Sequence, residues 1–344
     1  MASDGRCNTL TTRPVLYASV MGAQQVKQPQ IPPNLIIPGG QKCGSSSLAY
    51  YLSLHPDCCI STPKEPSFFS RQDNLRDLSS YERFFRQWSG QTILFEASTG
   101  YLFEEYAATR IRNHLNRLKI VIILRDPLGR TLSAYLHLKK RYDDLRGFEE
   151  VFGGLPVSPA AAFREEERRI EEAISTKKID KQRYSLRYDD SLWPFRYLRN
   201  SWYIDPVNRY LTIFGRENVH IVLLEDLEKD PQHTMQGVFE FLGVQPYWND
   251  SFLGAENSTI LPPLVNLYDS VPPPGFKRML ETIVRKASIK RPSVKRHREI
   301  KGRIFPNLRS LLGMQLNELE LATGMNLRCA WDADLDMMKL PRSQ

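Results

Sequence analysis

Asn34-Leu-Ile-Ile-Pro-Gly-Gly-Gln-Lys-Cys-Gly-Ser-Ser-Ser-Leu-Ala-Tyr-Tyr-Leu-Ser-Leu-His55 reads as a short buried strand, a glycine-rich turn and an amphipathic helix. Leu35, Ile36 and Ile37 are apolar without alternation, the pattern of a parallel strand covered on both faces. Leu48, Tyr51, Leu52 and His55 recur at helical spacing. Between them, Gly39, Gly40 and Gly44 let the backbone turn tightly with its N–H groups inward, and the helix predicted from Ser45 adds the positive end of its dipole. With the charge of Lys42 and the hydroxyls of Ser45, Ser46 and Ser47, the stretch reads as an anion site. It departs from the nucleotide-hydrolase loop, in which Lys directly follows the last Gly and a Ser or Thr follows the Lys to hold magnesium. Here Ser45 follows Gly44, and Lys42 lies inside the turn.

A second signal runs from Lys119 to Arg141: the strand Ile120 to Leu124, then Arg125-Asp-Pro-Leu-Gly-Arg130, then a helix carrying Thr131, Ser133, Tyr135 and His137. Pro127 suits a first helical turn with Asp126 as its cap. Arg125 at a strand end and Ser133 on the helix suit a shared phosphate, where each charge-assisted bond adds about 1.5 to 3 kcal/mol. The bland alternative pairs Arg125 with Asp126 or a nearby Glu.

A third stretch, Thr62-Pro-Lys-Glu-Pro-Ser-Phe-Phe69, uses two prolines to stiffen a loop around Lys64 and Glu65. A carboxylate held there suits a general base; a solvated Lys-Glu pair in a turn is the alternative. Thr92 to Ala97 reads as a buried strand. Glu96, Ser98 and Thr99 at its end are placed either to meet an acceptor or to cap the segment after Tyr101.

The 344 residues, 41% hydrophobic, allow a sizeable core, and 47 basic against 39 acidic residues give a net charge of +8, which favours anionic ligands. Five scattered cysteines, without paired CxxC spacing or His partners, predict neither a metal site nor a disulfide framework, and Cys58 and Cys59 read as core thiols. No apolar run is long enough to span a bilayer, and Val15 to Met21 makes a poor signal peptide, so the expectation is a soluble chain. Residues 1–33 read as a flexible leader, 34–331 as a single domain, and 332–344 as a tail.

Further helices are predicted over Tyr81 to Trp88, Ala160 to Ser175, Ile204 to Phe214, Pro231 to Leu242 and Leu308 to Thr323, with a strand from Val219 to Leu224. The Ala160 to Ser175 helix reads as a solvated charged face. Residues 146–200 read as a variable insertion on the acceptor side, and the stretch between Lys277 and Arg303 is basic. Alternating strands and helices make the class α/β, a central parallel sheet flanked by helices.

Gln41-Lys-Cys-Gly-Ser-Ser46, Lys64-Glu-Pro-Ser-Phe-Phe69, Arg125-Asp-Pro with Arg130 and Ser133, and Lys301-Gly-Arg303, in that order, resemble the sulfotransferases that use 3'-phosphoadenosine 5'-phosphosulfate. The likeness is greatest to the carbohydrate branch, namely the heparan sulfate enzymes and the chondroitin enzyme that adds a 6-sulfate to 4-sulfated GalNAc. It runs from about Leu35 to Trp331, weakest over 146–200. The resemblance implies a P-loop-like sulfotransferase fold and a sulfuryl transfer that needs no metal and releases 3',5'-adenosine bisphosphate. It assigns Lys42 to the 5'-phosphosulfate, with Gln41, Cys43, Gly44, Ser45 and Ser46 in the cradle. Arg125 and Ser133 take the 3'-phosphate, Lys301, Gly302 and Arg303 the closing loop, and Glu65 the acceptor's proton. Lys64, Glu96, Ser98 and Thr99 are the expected acceptor contacts.

Cytosolic sulfotransferases acting on phenols and steroids carry a His after the strand that ends here at Ala97; Ser98 and Thr99 stand in its place, which leaves Glu65 as the base. The disulfide that heparan sulfate enzymes usually place before the Lys-Gly-Arg loop has no cysteines here between Lys277 and Arg298. A Golgi lumen location follows from the family habit, a cytoplasmic one from the lack of an anchor. The expected acceptor is a carbohydrate hydroxyl, with an amine, a small metabolite, or a polyanion-binding role without catalysis as alternatives; nucleic acid is not an expected partner.

Overall fold

The computed structural model describes residues 33–248 and 306–331. Its centre is a five-stranded, wholly parallel sheet in the order β2-β3-β1-β4-β5. The strands are β1 (Leu35–Ile36), β2 (Cys58–Ile60), β3 (Ile93–Glu96), β4 (Lys119–Leu124) and β5 (Val219–Leu223). Asn34 fixes the register at the entry to β1. Its side chain donates to Thr92 O at 2.8 Å and accepts Leu94 N–H at 2.9 Å, while its carbonyl accepts Lys119 N–H at 2.9 Å. The chain builds β2 and β3 on one side of β1 and then crosses to β4 on the other. The carboxyl end of β1 is therefore the switch point at which an open α/β sheet offers a crevice.

Flanking helices are α1 (Ser45–Ser53), α2 (Ser79–Glu82), α3 (Ala107–His114), α4 (Pro127–Lys140), α5 (Phe148–Phe152), α6 (Pro159–Ser175), α7 (Gln182–Ser185), α8 (Ile204–Phe214), α9 (Leu224–Lys229), α10 (Pro231–Leu242), α11 (306–313) and α12 (Leu316–Thr323). Local chemistry sets several of their ends. Asp126 accepts Gly129 N–H at 2.6 Å and Asp230 accepts His233 N–H at 3.0 Å, each followed by Pro in the first turn. Gly324, at φ 73°, ends α12. Trp331 docks behind, its indole N–H on Glu225 at 3.2 Å. Cys58 and Cys59 lie in the core, and burial pushes their thiols up to about 12 and about 11.

Three elements differ from the sequence reading. The helix expected over Tyr81 to Trp88 tightens into a 3-10 turn at Arg83–Phe85. Phe84 O takes Thr62 N–H at 2.7 Å, and Trp88 N–H turns to Phe85 O at 3.0 Å. In α6, Arg168 pairs with Glu165 and Glu172 in solvent, but Ala162, Glu166, Ile170 and Ala173 are buried. Glu166 accepts the N–H groups of Leu198 at 2.7 Å and Arg199 at 3.0 Å, so this helix is the wall of a second apolar core between residues 146–200 and α4 rather than a solvated rod. The closing helix is two helices broken at Met314 and Gln315. Fully buried Gln315 accepts Tyr203 N–H at 2.5 Å and Ile204 N–H at 3.3 Å and donates to Ser201 O at 2.7 Å, meeting backbone groups at the start of α8.

Residues 1–32, 249–305 and 332–344 lie outside the described residues, and with them most of the leader, the basic stretch, Lys301, Gly302, Arg303 and the tail. Gln315→Leu keeps the volume but strands those groups, so unfolding by urea or heat should show a loss of about 2 to 4 kcal/mol.

Candidate active site

After β1, Ile37 N–H donates to Glu96 O at 2.9 Å, and the chain enters the glycine-rich turn. Lys42 and Gly44 are left-handed, at φ 71° and 93°. A Cβ on Gly44 would lie 2.5 Å from Leu224 Cδ1, so space and backbone both demand glycine there. Cys43 N–H closes the turn on Gly40 O at 2.9 Å, and Leu48 N–H starts α1 on Gly44 O at 3.1 Å. No side chain caps α1, which leaves its first N–H groups available to an anion. Ser45 is buried at this terminus and Ser46 is half-buried. Cys43, expected in the cradle, instead sends its side chain into the core, Sγ 3.7 Å from Tyr203 OH, with burial pushing the thiol up to about 11.

Arg125 leaves β4 and reaches back to this turn, Nη1 donating to Lys42 O at 3.4 Å. The two expected phosphate grips thus meet at one turn. Partial desolvation, reinforced by Arg125 and Lys140, lowers the pKa of Lys42 below the usual lysine value. Burial, followed by the charges of Lys42 and Arg141, pushes the His137 imidazole down to about 4. Ser133 lies half-buried one turn before His137 on α4.

Beneath them lies Arg130, fully buried, donating to Ser201 Oγ and Tyr197 O at 2.6 Å each and to Gln41 O at 3.5 Å. Among the described residues no carboxylate lies within ion-pair distance of it. A cationic floor satisfied by neutral partners leaves its field open to an anion. Gln41, half-buried, contributes that carbonyl, and its own Oε1 has no hydrogen-bond partner among the described residues.

The acidic side is built by the loop after β2. Glu65 receives Lys64 Nζ at 2.8 Å and the Thr99 hydroxyl at 3.1 Å, and its side chain remains 18% exposed. Thr99 in turn packs against the turn, since a Cβ on Gly39 would lie 3.5 Å from its Cα and Cγ2. Glu65 is therefore joined through one residue to the loop that carries Lys42.

The other expected acceptor contacts are corrected. Lys64 is buried and holds Ala97 O at 3.0 Å as well as Glu65. Glu96 and Ser98 are fully buried, with Glu96 bonded by Tyr81, Tyr101 and Ser98. Neither meets solvent; a polar residue ending a strand that is covered on both faces stays inside with it. The sequence reading gave no role to His137 or Lys140, which stand beside Lys42; with Ser133 they recur at spacings of four and three along one helix face, a signal present in the sequence. Among the described residues no group of His, Cys, Asp and Glu is arranged to hold a metal, and no helix is long and apolar enough to cross a membrane.

A family model described as the sulfotransferase domain matches residues 32–253. Human bifunctional heparan sulfate N-deacetylase/N-sulfotransferase 3 is 29% identical over 229 residues, covering 64% of this chain and 23% of the relative. Xenopus tropicalis bifunctional heparan sulfate N-deacetylase/N-sulfotransferase 1 is 27% identical over 219 residues, 62% of this chain and 22% of the relative. The chain thus spans less than a quarter of the length of these curated relatives. A solved sulfotransferase from Alicyclobacillus acidocaldarius superposes with a TM-score of 0.52 at 31% identity, over 68% of this chain and 88% of that one. The glycine-rich turn, the Glu65 loop and the Arg125 strand end all fall inside the matched region, and the chain belongs to the sulfotransferase family.

Proposed function

We propose that this chain transfers a sulfuryl group from 3'-phosphoadenosine 5'-phosphosulfate to a hydroxyl of a carbohydrate. The observation that carries the reading is the meeting of Arg125 with the Lys42 carbonyl, while Thr99, which packs on the same turn, holds Glu65. Cations and a partly exposed carboxylate thus share the carboxyl end of the sheet. Lys42, the first N–H groups of α1, Arg125 and Ser133 would hold the doubly phosphorylated nucleotide, and among the described residues no carboxylate is ion-paired with the Arg130 beneath them.

When bound, the donor supplies the sulfuryl group and a phosphate leaving group. The protein's part is to place an acceptor oxygen in line, remove its proton and stabilise negative charge on the departing phosphate. Glu65 would take the proton from the acceptor oxygen as that oxygen bonds to sulfur, and Lys42 would stabilise the charge left on the phosphate as its bond to sulfur breaks. The neutral His137 beside Lys42 adds no further charge at neutral pH.

A second reading makes the acceptor an amine, favoured by relatives whose names include N-sulfotransferase. Transfer of labelled sulfate to a polysaccharide with free amines, compared with its fully N-acetylated form, separates the two: the hydroxyl reading expects label on both, the amine reading on the free amine alone. Acceptors graded from monosaccharide to polymer test for a small metabolite.

Glu65→Gln should lower kcat about 10²- to 10⁴-fold with donor KM little changed. Lys42→Ala should lower kcat/KM by about 10²-fold or more. Release of 3',5'-adenosine bisphosphate in the presence of acceptor measures both, and full turnover in both variants rejects the mechanism.

A further inference from the structure

Glu96 ends β3 with its carboxylate enclosed. Three hydroxyls donate to it: Tyr81 at 2.8 Å and Tyr101 at 3.1 Å on Oε1, and Ser98 on Oε2. Two of them also serve the loop that carries Glu65. Ser98 Oγ accepts Ser67 N–H at 3.0 Å, and Tyr101 OH accepts Phe69 N–H at 3.1 Å. The same turn grips the loop twice more: Ala97 N–H donates to Lys64 O at 3.0 Å, and Thr99 donates to Glu65 at 3.1 Å.

A hydroxyl has one proton to give and two lone pairs, whereas a carboxylate only accepts. An ionised Glu96 therefore draws all three protons toward itself, which turns the lone pairs of Ser98 and Tyr101 to the N–H groups of Ser67 and Phe69. A carboxyl or amide in its place carries a donor of its own, so one hydroxyl must reverse or lose its bond. Direction matters because Ser67 sits at φ 51°, a left-handed conformation that persists in a non-glycine residue when its surroundings hold it there.

We propose that Glu96 is a positioning residue for the transfer reaction: its carboxylate sets the direction of the Ser98 and Tyr101 hydroxyls, and through them the backbone that presents Glu65 to the acceptor. The proposal rests on the reading of Glu65 as the base. Titratable groups facing Glu96 are Tyr81 from α2, Tyr101 from the turn after β3, Tyr210 from α8 and Glu65 from the loop. Burial raises Glu96 to about 7 against the lowering effect of the three hydroxyl bonds, so the direction-setting form is gained as pH rises through neutrality.

Glu96→Gln preserves shape and removes the ionisation. With folding checked by circular dichroism and donor binding unchanged, kcat should fall about ten- to a hundredfold, the range that a small misplacement of a reacting group produces. The kcat–pH profile should also lose a limb near pH 7 that the wild type shows. Ser98→Ala, which keeps Glu96, should lower kcat while retaining the limb. If Glu96→Gln does not fold, Ser98→Ala and Tyr101→Phe carry the test, and wild-type kcat in both overturns the proposal. Wild-type kcat in Glu96→Gln, or a lower kcat with the limb unmoved, also overturns it. Glu65→Gln keeps the two readings apart: lost turnover there with a wild-type Glu96→Gln rejects the positioning role alone, whereas full turnover in Glu65→Gln rejects the base itself.

Discussion

Like charges held together by neutral partners are the constraint on which this site depends. Lys42, Arg125 and Arg130 converge at the end of β1, and the groups that hold the arginines are the carbonyls of Lys42, Gln41 and Tyr197 and the hydroxyl of Ser201. A carboxylate in any of those places would stabilise the cations and quench the field. Carbonyls orient a guanidinium without cancelling its charge; burial first, and then the repulsion that remains among the cations, lowers the pKa values of Lys42 and His137. The rest of the sheet and both apolar cores supply the packing that keeps these groups in place.

The opposite side of the crevice follows the reverse rule. Glu65 is paired with Lys64 and bonded by Thr99, and behind it lie Glu96 and Glu104, pushed up to about 7 and about 8, by burial first of all. Carboxylates here are enclosed by hydroxyls rather than left open. On the proposed reading, an anionic donor would be drawn to the β1–β4 side, and the carboxylate side would be left for the acceptor group.

Much of this was legible in the sequence where the cause is local. The glycine turn, the Asp126 and Asp230 caps, and α8 and α10 with the bounds expected of them depend on residues within a few positions of each other. What was misread depends on partners far along the chain. Gln315 looks like one more position on an amphipathic helix until the N–H groups of Tyr203 and Ile204 are set before it, and Glu166 looks solvated until the chain returns at Leu198. Glu96 was placed at the correct sheet end but on the wrong side of the surface, because spacing alone does not show that Tyr81 and Tyr101 close over it. His137 is different: its helical spacing from Ser133 was visible, but its closeness to Lys42 requires the fold.

Residues 146–200 touch the two sides unequally. Tyr188 reaches Ser67 at 3.4 Å, beside the carboxylate loop, and a Cβ on Gly100 would lie 3.2 Å from Tyr188 and 3.3 Å from Trp193, so the segment docks closely on this turn. Its hold on the cationic side passes through Arg130, which binds Tyr197 O and Gln41 O. Substitutions among residues 184–197 thus act directly on the loop that bears Glu65, but reach the glycine-rich turn through a buried guanidinium anchored to backbone carbonyls. Carbonyls are indifferent to the side chains around them, which lets residues 184–197 change in sequence while the glycine-rich turn keeps its geometry.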